Sequence, residues 1–468
     1  MADSWATFGI DLHVELTGRR VRAGLEAALR DAVRTGRLHP GTRLPSSRML
    51  ARDLSLARNT VAEAYRQLVA EGWLTALPGS GTRVADRTAD TASVASSRAT
   101  GDGTPRPRFN LLPGTPDLAS FPRKSWLAAS RRALNVAPND ALGYSDPRGR
   151  TELRRALAEY LSRARGVHAD PELIVVCSGF TQGLGLLCQV LRAHGATTLA
   201  AEAYGLVSHR QAVVAAGLGL QPLTVDSRGA TLSQAGEADA VLLTPAHQFP
   251  LGVVLAPERR TEAVRWVRAR EGIVIEDDYD GEFRFDRDPI GALQALAPDH
   301  IVYAGSTSKS LAPGLRLGWL VVPRRLIDDV TAAKNLADTQ CSTFDQLALS
   351  EFITSGAYDH HVRRCRLVYR RRRDRLARAL AEHAPNVGVT GVAAGLHALL
   401  ELPQGANEDE IFARAERHGL AIEGLRSYAC AGHQHSPALV VGYAAPPEHA
   451  FTGAVARLCA VLGDPARP

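Results

Sequence analysis

Short aliphatic runs alternate with longer amphipathic segments along most of the chain after residue 170. Five such runs, each of three or four residues, lie at 173–176, 240–243, 272–275, 301–303 and 319–322. Runs of this length are typical of buried strands, and the segments between them are long enough for helices. The alternation predicts an α/β body whose sheet is mainly parallel, because parallel strands need helical crossovers.

The first 72 residues instead carry apolar positions at helical spacing. Val21–Arg34 predicts one amphipathic helix, and a second begins after Ser46, a residue type favoured at the N-cap. A third helix begins near Arg58 after a three-residue turn. Two short helices across a tight turn predict a helix-turn-helix, and residues 73–84 predict a β-hairpin wing. The alternative is a small three-helix domain with a solvated basic face.

Residues 85–108 are mostly small and polar, with no aromatic residue and no apolar period. This composition is typical of a flexible linker. We therefore predict three parts: a head at 12–84, the linker at 85–108 and a body at 109–465.

The excess positive charge of the chain lies in the head. Residues 12–84 contain 12 arginines and six acidic residues, whereas the rest of the chain has 43 basic and 43 acidic residues. A small basic module on a neutral body favours nucleic-acid binding by the head. Residues 363–378 hold nine further arginines and one acid. We interpret them as the solvated face of a long helix, with a second DNA contact as the alternative.

Composition argues against several classes of protein. Hydrophobic residues make up 45% and charged residues 22%, and no run approaches the roughly 18 apolar residues of a membrane span. The first residues lack a basic-then-apolar signal pattern, and the six cysteines show no paired short spacing. We expect a cytoplasmic protein with reduced thiols, no membrane association and no metal site.

One of only three lysines in the chain stands in a chemically suggestive place. Lys309 lies between Ser308 and Ser310, Arg316 follows seven residues later, and Asp277 ends an apolar run upstream. Pyridoxal 5′-phosphate (PLP) requires these residue types. It needs a lysine amine for its aldehyde, an aspartate for its pyridine nitrogen, and hydroxyls and an arginine for its phosphate. The alternative, a surface lysine and a strand-end carboxylate, does not explain the combination in this order.

Three motifs of the head are specific: Leu-Pro-Ser-Ser-Arg at 44–48, Arg-Asn-Thr-Val at 58–61 and Glu-Gly-Trp-Leu at 71–74. With them, the head resembles the winged helix-turn-helix of GntR-type regulators. The resemblance implies a double-stranded DNA operator as partner. It implies DNA contacts from Arg48, Arg58, Asn59, Thr60 and the wing tip near Gly81.

Two motifs of the body precede Lys309: Thr-Pro-Ala-His-Gln-Phe-Pro-Leu-Gly at 244–252 and Glu-Asp-Asp-Tyr-Asp-Gly-Glu-Phe at 276–283. With these motifs the body resembles the fold-type I aminotransferases over nearly all of 109–465. The whole chain resembles the MocR-type regulators, in which a GntR head is fused to an aminotransferase-like domain. The resemblance implies PLP as cofactor and a homodimer in which Tyr144 reaches the neighbouring subunit's cofactor.

The same resemblance assigns a role to each matching position. Lys309 would hold PLP, Asp277 would pair with the pyridine nitrogen, and Tyr279 would hydrogen-bond the ring oxygen. Tyr204 would stack on the ring. The phosphate would lie among Ser306, Ser308, Arg316, Phe180 and Thr181.

The body departs from aminotransferases at the substrate carboxylate. Val440 stands where these enzymes carry an arginine in the last strand, and Leu206 stands where amino-acid-responsive relatives carry another. Arg426 could replace the first, but the alignment does not place it there. Losing a charge-assisted bidentate contact argues against amino-acid transamination.

The leading hypothesis is a PLP-binding, DNA-binding transcriptional regulator. Its effector would be PLP itself, as in a PdxR-like branch of the family that controls PLP synthesis genes. One alternative is a regulator that responds to an amino acid or amine through bound PLP. Others are an active aminotransferase with an autoregulatory head, and a repressor whose body has lost PLP.

Overall fold

The computed structural model describes residues 21–77, 81–85, 107–285, 290–433 and 436–463. The chain divides into two compact units between Pro105 and Arg106. We call the described residues before this point the head and those after it the body.

The head contains three helices and a β-hairpin: α1 (Val21–Arg34), α2 (Ser47–Asp53), α3 (Arg58–Ala70), β1 (Leu74–Leu77) and β2 (Gly81–Val84). The hydroxyl of Ser46 accepts the Met49 N–H at 3.2 Å, which confirms the predicted N-cap. Strands β1 and β2 pair antiparallel, with Leu74 opposite Val84. The helix-turn-helix and the two strands of the wing are thus present, while wing residues 78–80 lie outside the described residues.

One apolar core holds the head together. Leu25 and Leu29 of α1, Leu50 of α2, and Val61 and Leu68 of α3 are all buried in it. These are the positions that the helical spacing places on the inner faces. Each such side chain contributes about 1.5–3 kcal/mol by leaving water, which makes this small unit a stable carrier for its exposed arginines.

The body is built on a seven-stranded sheet. Its strands are β4 (Ile174–Cys177), β5 (Thr198–Glu202), β6 (Gly219–Leu223), β9 (Ala240–Leu243), β10 (Ile273–Asp277), β11 (Ile301–Ser306) and β12 (Gly318–Val321). Their order is β4-β12-β11-β10-β9-β5-β6. All neighbouring pairs are parallel except those of β12, which runs antiparallel to β4 and β11. The predicted mainly parallel sheet is confirmed.

Helices cover both faces of this sheet. Ile273 and Ile275 of β10 pack into one core, and Val274 between them packs into the other. This alternation explains why the strands are short continuous apolar runs. The helices of the body are α4 (Arg123–Val136), α5 (Thr151–Arg165), α6 (Phe180–Ala193), α7 (Val207–Ala215), α8 (Pro257–Arg270), α9 (Ile327–Asp338), α10 (Thr343–Thr354), α11 (Ala357–His383), α12 (Glu408–Arg417) and α13 (Glu448–Leu462).

A second sheet has four strands and is antiparallel throughout. It packs on α11 and α13 through a core that includes Tyr369, Leu376, Leu400, Val441 and Phe451. The remaining strands of the body are β3 (Phe109–Asn110), β7 (Val225–Asp226), β8 (Gly229–Ala230), β13 (Gly388–Thr390), β14 (Ala398–Glu401), β15 (Leu420–Ala421), β16 (Glu423–Gly424) and β17 (Ala438–Val441).

Two composition-based expectations bear on the fold. All six cysteines are free thiols, and five of them are buried. Of the helices described, none has the length and apolar character needed to cross a membrane.

Candidate functional site

A cavity of about 380 Å³ lies at the carboxyl ends of strands β5, β9, β10 and β11. This edge is where open α/β sheets bind their ligands. Nine of the ten predicted cofactor residues line it: Lys309, Asp277, Tyr279, Tyr204, Ser306, Ser308, Arg316, Phe180 and Thr181. The tenth, Tyr144, does not line it and is 91% exposed.

Lys309 enters the cavity from the turn that follows β11. Its ammonium group donates a hydrogen bond to the carbonyl oxygen of Gly114 at 2.5 Å. Burial lowers the pKa of Lys309, and the nearby carboxylates of Asp277 and Asp280 partly oppose this shift. A lowered pKa raises the fraction of neutral amine, which is the nucleophilic form.

Asp277 is the last residue of strand β10 and lines the same cavity as Lys309. Burial raises the pKa of its carboxyl group well above the usual range, and Lys309 pulls it back down. The residue is buried, with only 6% of its surface exposed. Even so, no side chain or N–H group among the described residues donates a hydrogen bond to its carboxylate. A buried carboxylate without a donor is suited to a ligand that brings its own N–H.

One end of the cavity is built for an anion. Helix α6 begins at Phe180, and Gly179 before it adopts φ of 88°. A Cβ at Gly179 would lie 3.0 Å from the guanidinium of Arg316, which itself donates to the carbonyl of Ser178. Thr181 in the first turn of the helix, Ser306 and Ser308 line the same cavity. A helix N-terminus beside an arginine and hydroxyl groups is a typical phosphate site.

Tyr279 belongs to a buried polar cluster behind the cavity. Its hydroxyl lies 3.0 Å from Nδ1 of His247, and the same nitrogen lies 2.8 Å from a carboxylate oxygen of Asp280. Burial raises the pKa of Tyr279, and the negative charge of Asp280 adds to this shift. The phenol therefore remains protonated and can donate a hydrogen bond to a ligand in the cavity. His397 completes the cluster, its ring centroid 5.1 Å from that of His247.

In the head, exposed arginines collect around the helix-turn-helix. Arg48, Arg58 and Asn59 are exposed, Thr60 is half-buried, and exposed Gly81 begins β2. Ala57 gives α3 no side-chain cap, so the first-turn N–H groups of this helix lack a side-chain acceptor. The acidic residues Glu26, Asp31, Glu63 and Glu71 all pair with arginines elsewhere. Within the described part of the chain, Arg43, Arg48, Arg52 and Arg58 form no ion pair, so positive charge remains uncompensated there.

Two family models match the two units. Aminotransferase class I and II matches residues 109–457, and the gntR family of bacterial regulatory proteins matches residues 22–84. The probable rhizopine catabolism regulatory protein MocR of Rhizobium meliloti is 33% identical, over 74% of this chain and 74% of its own. The pyridoxine biosynthesis transcriptional regulator PdxR of Corynebacterium glutamicum is 32% identical, over 86% of this chain and 88% of its own. The chain belongs to the MocR-type regulators of the GntR family.

Solved structures resemble the body of this MocR-type regulator. The α-aminoadipate aminotransferase LysN of Thermus thermophilus, complexed with N-(5′-phosphopyridoxyl)-L-leucine, matches with a TM-score of 0.68 and 25% identity. That match covers 76% of this chain and 92% of that one. The kynurenine aminotransferase of Pyrococcus horikoshii matches with a TM-score of 0.68 and 24% identity, over 76% and 90% of the two chains. The body of the MocR-type regulator therefore has the fold-type I aminotransferase fold.

The MocR-type regulator lacks an arginine at both expected carboxylate positions. Val440 is fully buried in β17, and Leu206 lines the cavity. Arg426 does not line the cavity and pairs with Glu408 and Asp409 instead. It therefore does not replace the missing arginine in this structure.

Sequence reasoning missed a different cavity arginine in the MocR-type regulator. Arg210, one turn into α7, lines the cavity and donates to the backbone carbonyls of Gly205, Tyr428 and Ala429. Within the described residues it pairs with no carboxylate. Arg210 lies four residues after Leu206, the residue that precedes α7. Residues four apart in a helix are neighbours, so the sequence could have indicated that Arg210 lies near the cavity.

The buried cluster of the MocR-type regulator was missed for another reason. His247 and Asp280 are 33 residues apart and meet because strands β9 and β10 are neighbours. The sequence alone does not indicate that His247 has a carboxylate partner. Only the proximity of the motifs at 244–252 and 276–283, which follow adjacent strands, could have indicated the pair.

Proposed function

We propose that this MocR-type regulator binds PLP in the cavity of its body and that cavity occupancy controls operator binding by the head. The observation that carries the proposal is the meeting of Lys309, Asp277 and the anion-binding end in one cavity. No one of these features is specific alone. A nucleophilic amine, a buried carboxylate without a donor and a phosphate site together match the three functional ends of PLP.

Each cavity residue has a task in this proposal. Lys309 would hold PLP through its amine, and Asp277 would keep the pyridine nitrogen protonated. Tyr279 donates to the ring oxygen, while Tyr204 covers the face of the ring. Bound PLP supplies an electron-withdrawing ring. The phosphate is held by Arg316 with the residues already placed at the start of α6 and after β11.

We propose that PLP is also the signal, so that the protein reports vitamin B6 status and controls B6 synthesis genes. Two observations support this. The cavity brings together an amine, a buried carboxylate and an anion-binding end, but it lacks both expected carboxylate arginines. PdxR, a relative of similar length, is a pyridoxine biosynthesis regulator.

The second candidate is a regulator that responds to an amino acid or amine. Arg210 favours it, because a cavity guanidinium without a carboxylate partner could hold the carboxylate of such an effector. An active aminotransferase with an autoregulatory head is a third reading. A turnover assay with amino acids and 2-oxo acids distinguishes it from both regulators.

The proposed assembly is a homodimer in which residues 85–108 link head to body. Tyr144, 91% exposed, and Leu142, 56% exposed, support a partner at this surface, where Tyr144 would complete the neighbouring cavity. Light scattering tests the dimer. Tyr144→Ala should weaken PLP binding without changing the oligomeric state.

Absorption spectroscopy tests the cofactor. The purified protein incubated with PLP should absorb in the visible range, and borohydride should bleach the band and fix the cofactor to Lys309. Lys309→Ala should remove the band. Lys124→Ala, which alters an exposed lysine of the same chain, should retain it. A wild-type protein that stays colourless with added PLP contradicts the proposal.

A further inference from the structure

The body carries a second large concavity, remote in sequence from the cofactor residues. It measures about 1010 Å³ and lies between helix α11, the start of α4 and the segment 117–122. We call it the basic groove. Six cationic side chains line it in addition to Arg372: Arg123, Lys124, Arg364, Arg371, Arg375 and Arg378.

Four of these cations form a stripe along α11. Arg364, Arg371, Arg375 and Arg378 are separated by seven, four and three residues, so they share one face of the helix. At 1.5 Å per residue the stripe is about 21 Å long. Like charges three and four residues apart destabilise a helix. Asp374, three residues after Arg371 and four before Arg378, offsets part of this repulsion, but the stripe keeps a net positive charge that a polyanion would neutralise.

Acidic residues do not neutralise this groove. Asp117 and Glu448 line it, but both carboxylates bond to the buried guanidinium of Arg372, each at 2.9 Å. The six remaining cations form no ion pair with any residue in the described ranges. Arg364 donates only to the carbonyl of Ser120, at 3.0 Å. The lining thus holds seven cations against two carboxylates, so the groove keeps a concentrated net positive charge.

The start of α4 adds a second, independent feature. This helix has no acidic residue in its first turn and no side-chain cap, and it places Arg123 and Lys124 there instead. Cations are unfavourable at the positive end of a helix dipole. Their presence, beside uncapped N–H groups, is typical of a site that holds an anion.

We propose that the basic groove binds the phosphodiester backbone of duplex DNA that flanks the operator. The length of the stripe favours an extended polyanion over a compact phosphate ligand, which two or three donors would satisfy. The head has the same sign of charge, so head and groove complement the same polyanion. DNA held by the head is also at high effective concentration near the body of the same molecule. This inference rests on the proposed DNA-binding function.

The salt dependence of DNA binding tests the groove in the full-length protein. The probe is a fluorescent duplex of about 60 base pairs, which is long enough to extend beyond the stretch that the head contacts. The double variant Arg371→Gln/Arg375→Gln should bind it about tenfold more weakly at moderate salt. The slope of log affinity against log salt concentration should become less negative by about two, because each lost phosphate contact removes about 0.9 from the slope.

A matched control removes the same charge from the same helix. Arg363 and Arg370 are exposed on α11 but do not line the groove, so Arg363→Gln/Arg370→Gln should keep the wild-type slope. Equal slopes in wild type and groove variant contradict the inference, as does an equal loss in the control. A fluorescent nucleoside triphosphate that binds saturably to wild type but not to the groove variant, with DNA slopes unchanged, shows a small phosphate ligand instead.

The same titration separates this inference from the proposed function. A wild type that binds no duplex overturns both. A wild type that binds, with a groove variant that is indistinguishable from it, overturns the groove alone. The PLP spectrum and the thermal unfolding of each variant show that the fold of the body is intact.

Discussion

Glu202 ends strand β5 inside the cavity, where ionisation of its carboxyl group is costly. Burial raises its pKa to about 7, although hydrogen bonds from Thr244 at 2.5 Å and Gln248 at 3.2 Å favour the carboxylate. The neutral form is therefore the better fit to the folded protein. Its stabilising contribution is complete below the ordinary pKa near 4.5 and is lost as the pH rises towards 7.

Glu202→Gln keeps the shape of the neutral form and removes the titration. Its free energy of unfolding, relative to wild type, should increase by about 2–3 kcal/mol between pH 5 and pH 8, since each pKa unit corresponds to about 1.4 kcal/mol. Denaturant unfolding of the PLP-free protein at both pH values measures this. Glu416→Gln, at an exposed glutamate, should show no such trend. A constant difference between Glu202→Gln and wild type at the two pH values would argue against the raised pKa.

Arg58 is the head residue whose substitution we expect to weaken operator binding most. It opens α3, is exposed and forms no ion pair with a described residue. If it reads a base, Arg58→Ala should weaken operator binding by about 1–3 kcal/mol and relax specificity at one position. Arg66→Ala, on the same helix but paired with Glu63, is the control in a mobility-shift titration. Equal effects of the two substitutions would exclude a special role for Arg58.

At the scale of residues, composition drew attention to Lys309, which lines the cavity. Lys309 could be found because lysine is rare and its neighbours carry hydroxyl groups. Lysine is equally rare at position 334, but the sequence did not predict that Lys334 is fully buried and pairs with Asp338. His247 and Asp280 could not be paired, because their contact depends on which strands are neighbours.

At the scale of elements, the backbone at Gly179 sets how helix α6 presents its first turn to the cavity. Gly179 has φ of 88°, and a Cβ there would meet the Arg316 guanidinium at 3.0 Å. With ψ of 170°, this conformation is open essentially to glycine alone, so an alanine there would shift the start of α6 and the Arg316 guanidinium. Gly179→Ala should therefore lower PLP affinity at least about tenfold, which is about 1.4 kcal/mol.

Gly185→Ala provides the control within the same helix. A Cβ at Gly185 meets nothing within 4 Å, and alanine is the better helix former. PLP titrations followed by absorbance should show wild-type affinity for this variant. Equal affinity of Gly179→Ala and Gly185→Ala for PLP would mean that the start of α6 does not hold the phosphate.

Five of the seven strands of the main sheet were predictable, because strands buried on both faces are continuous apolar runs. Each of the five predicted runs, such as 240–243 or 272–275, overlaps a strand of this sheet, with ends that agree within three residues. Strands β5 and β6 were not among these runs. The antiparallel direction of β12 was not predictable, since an aliphatic run contains no direction. The second sheet was not anticipated either, because two of its four strands have only two or three residues.

At the scale of the whole molecule, the proposed function requires the cavity and the head to be energetically coupled. PLP must bind more tightly to one arrangement of the dimer than to another, or it cannot alter operator affinity. Adding PLP to the PLP-free protein should change operator affinity by roughly 5–150-fold, the usual range of such coupling. Fluorescence anisotropy with a labelled operator fragment measures the change.

A panel of amino acids and amines separates the two candidate effectors. If PLP is the signal, the panel should leave the affinity of the PLP-bound protein unchanged, and Arg210→Gln should leave the response to PLP intact. An amino acid that changes both operator affinity and the visible spectrum, with loss of its effect in Arg210→Gln, would transfer the signalling role to that amino acid.

The placement of the three lysines has a practical consequence for amine-directed labelling. Lys124 is exposed, Lys309 lies in the cavity, and Lys334 is sealed from solvent. An amine-reactive mass tag applied to the native protein should mark the lysine at 124 in every sample and spare the one at 334. Tagging at 309 should appear only when the cavity is open, so peptide mass spectrometry would report cavity occupancy with an internal reference on the same chain.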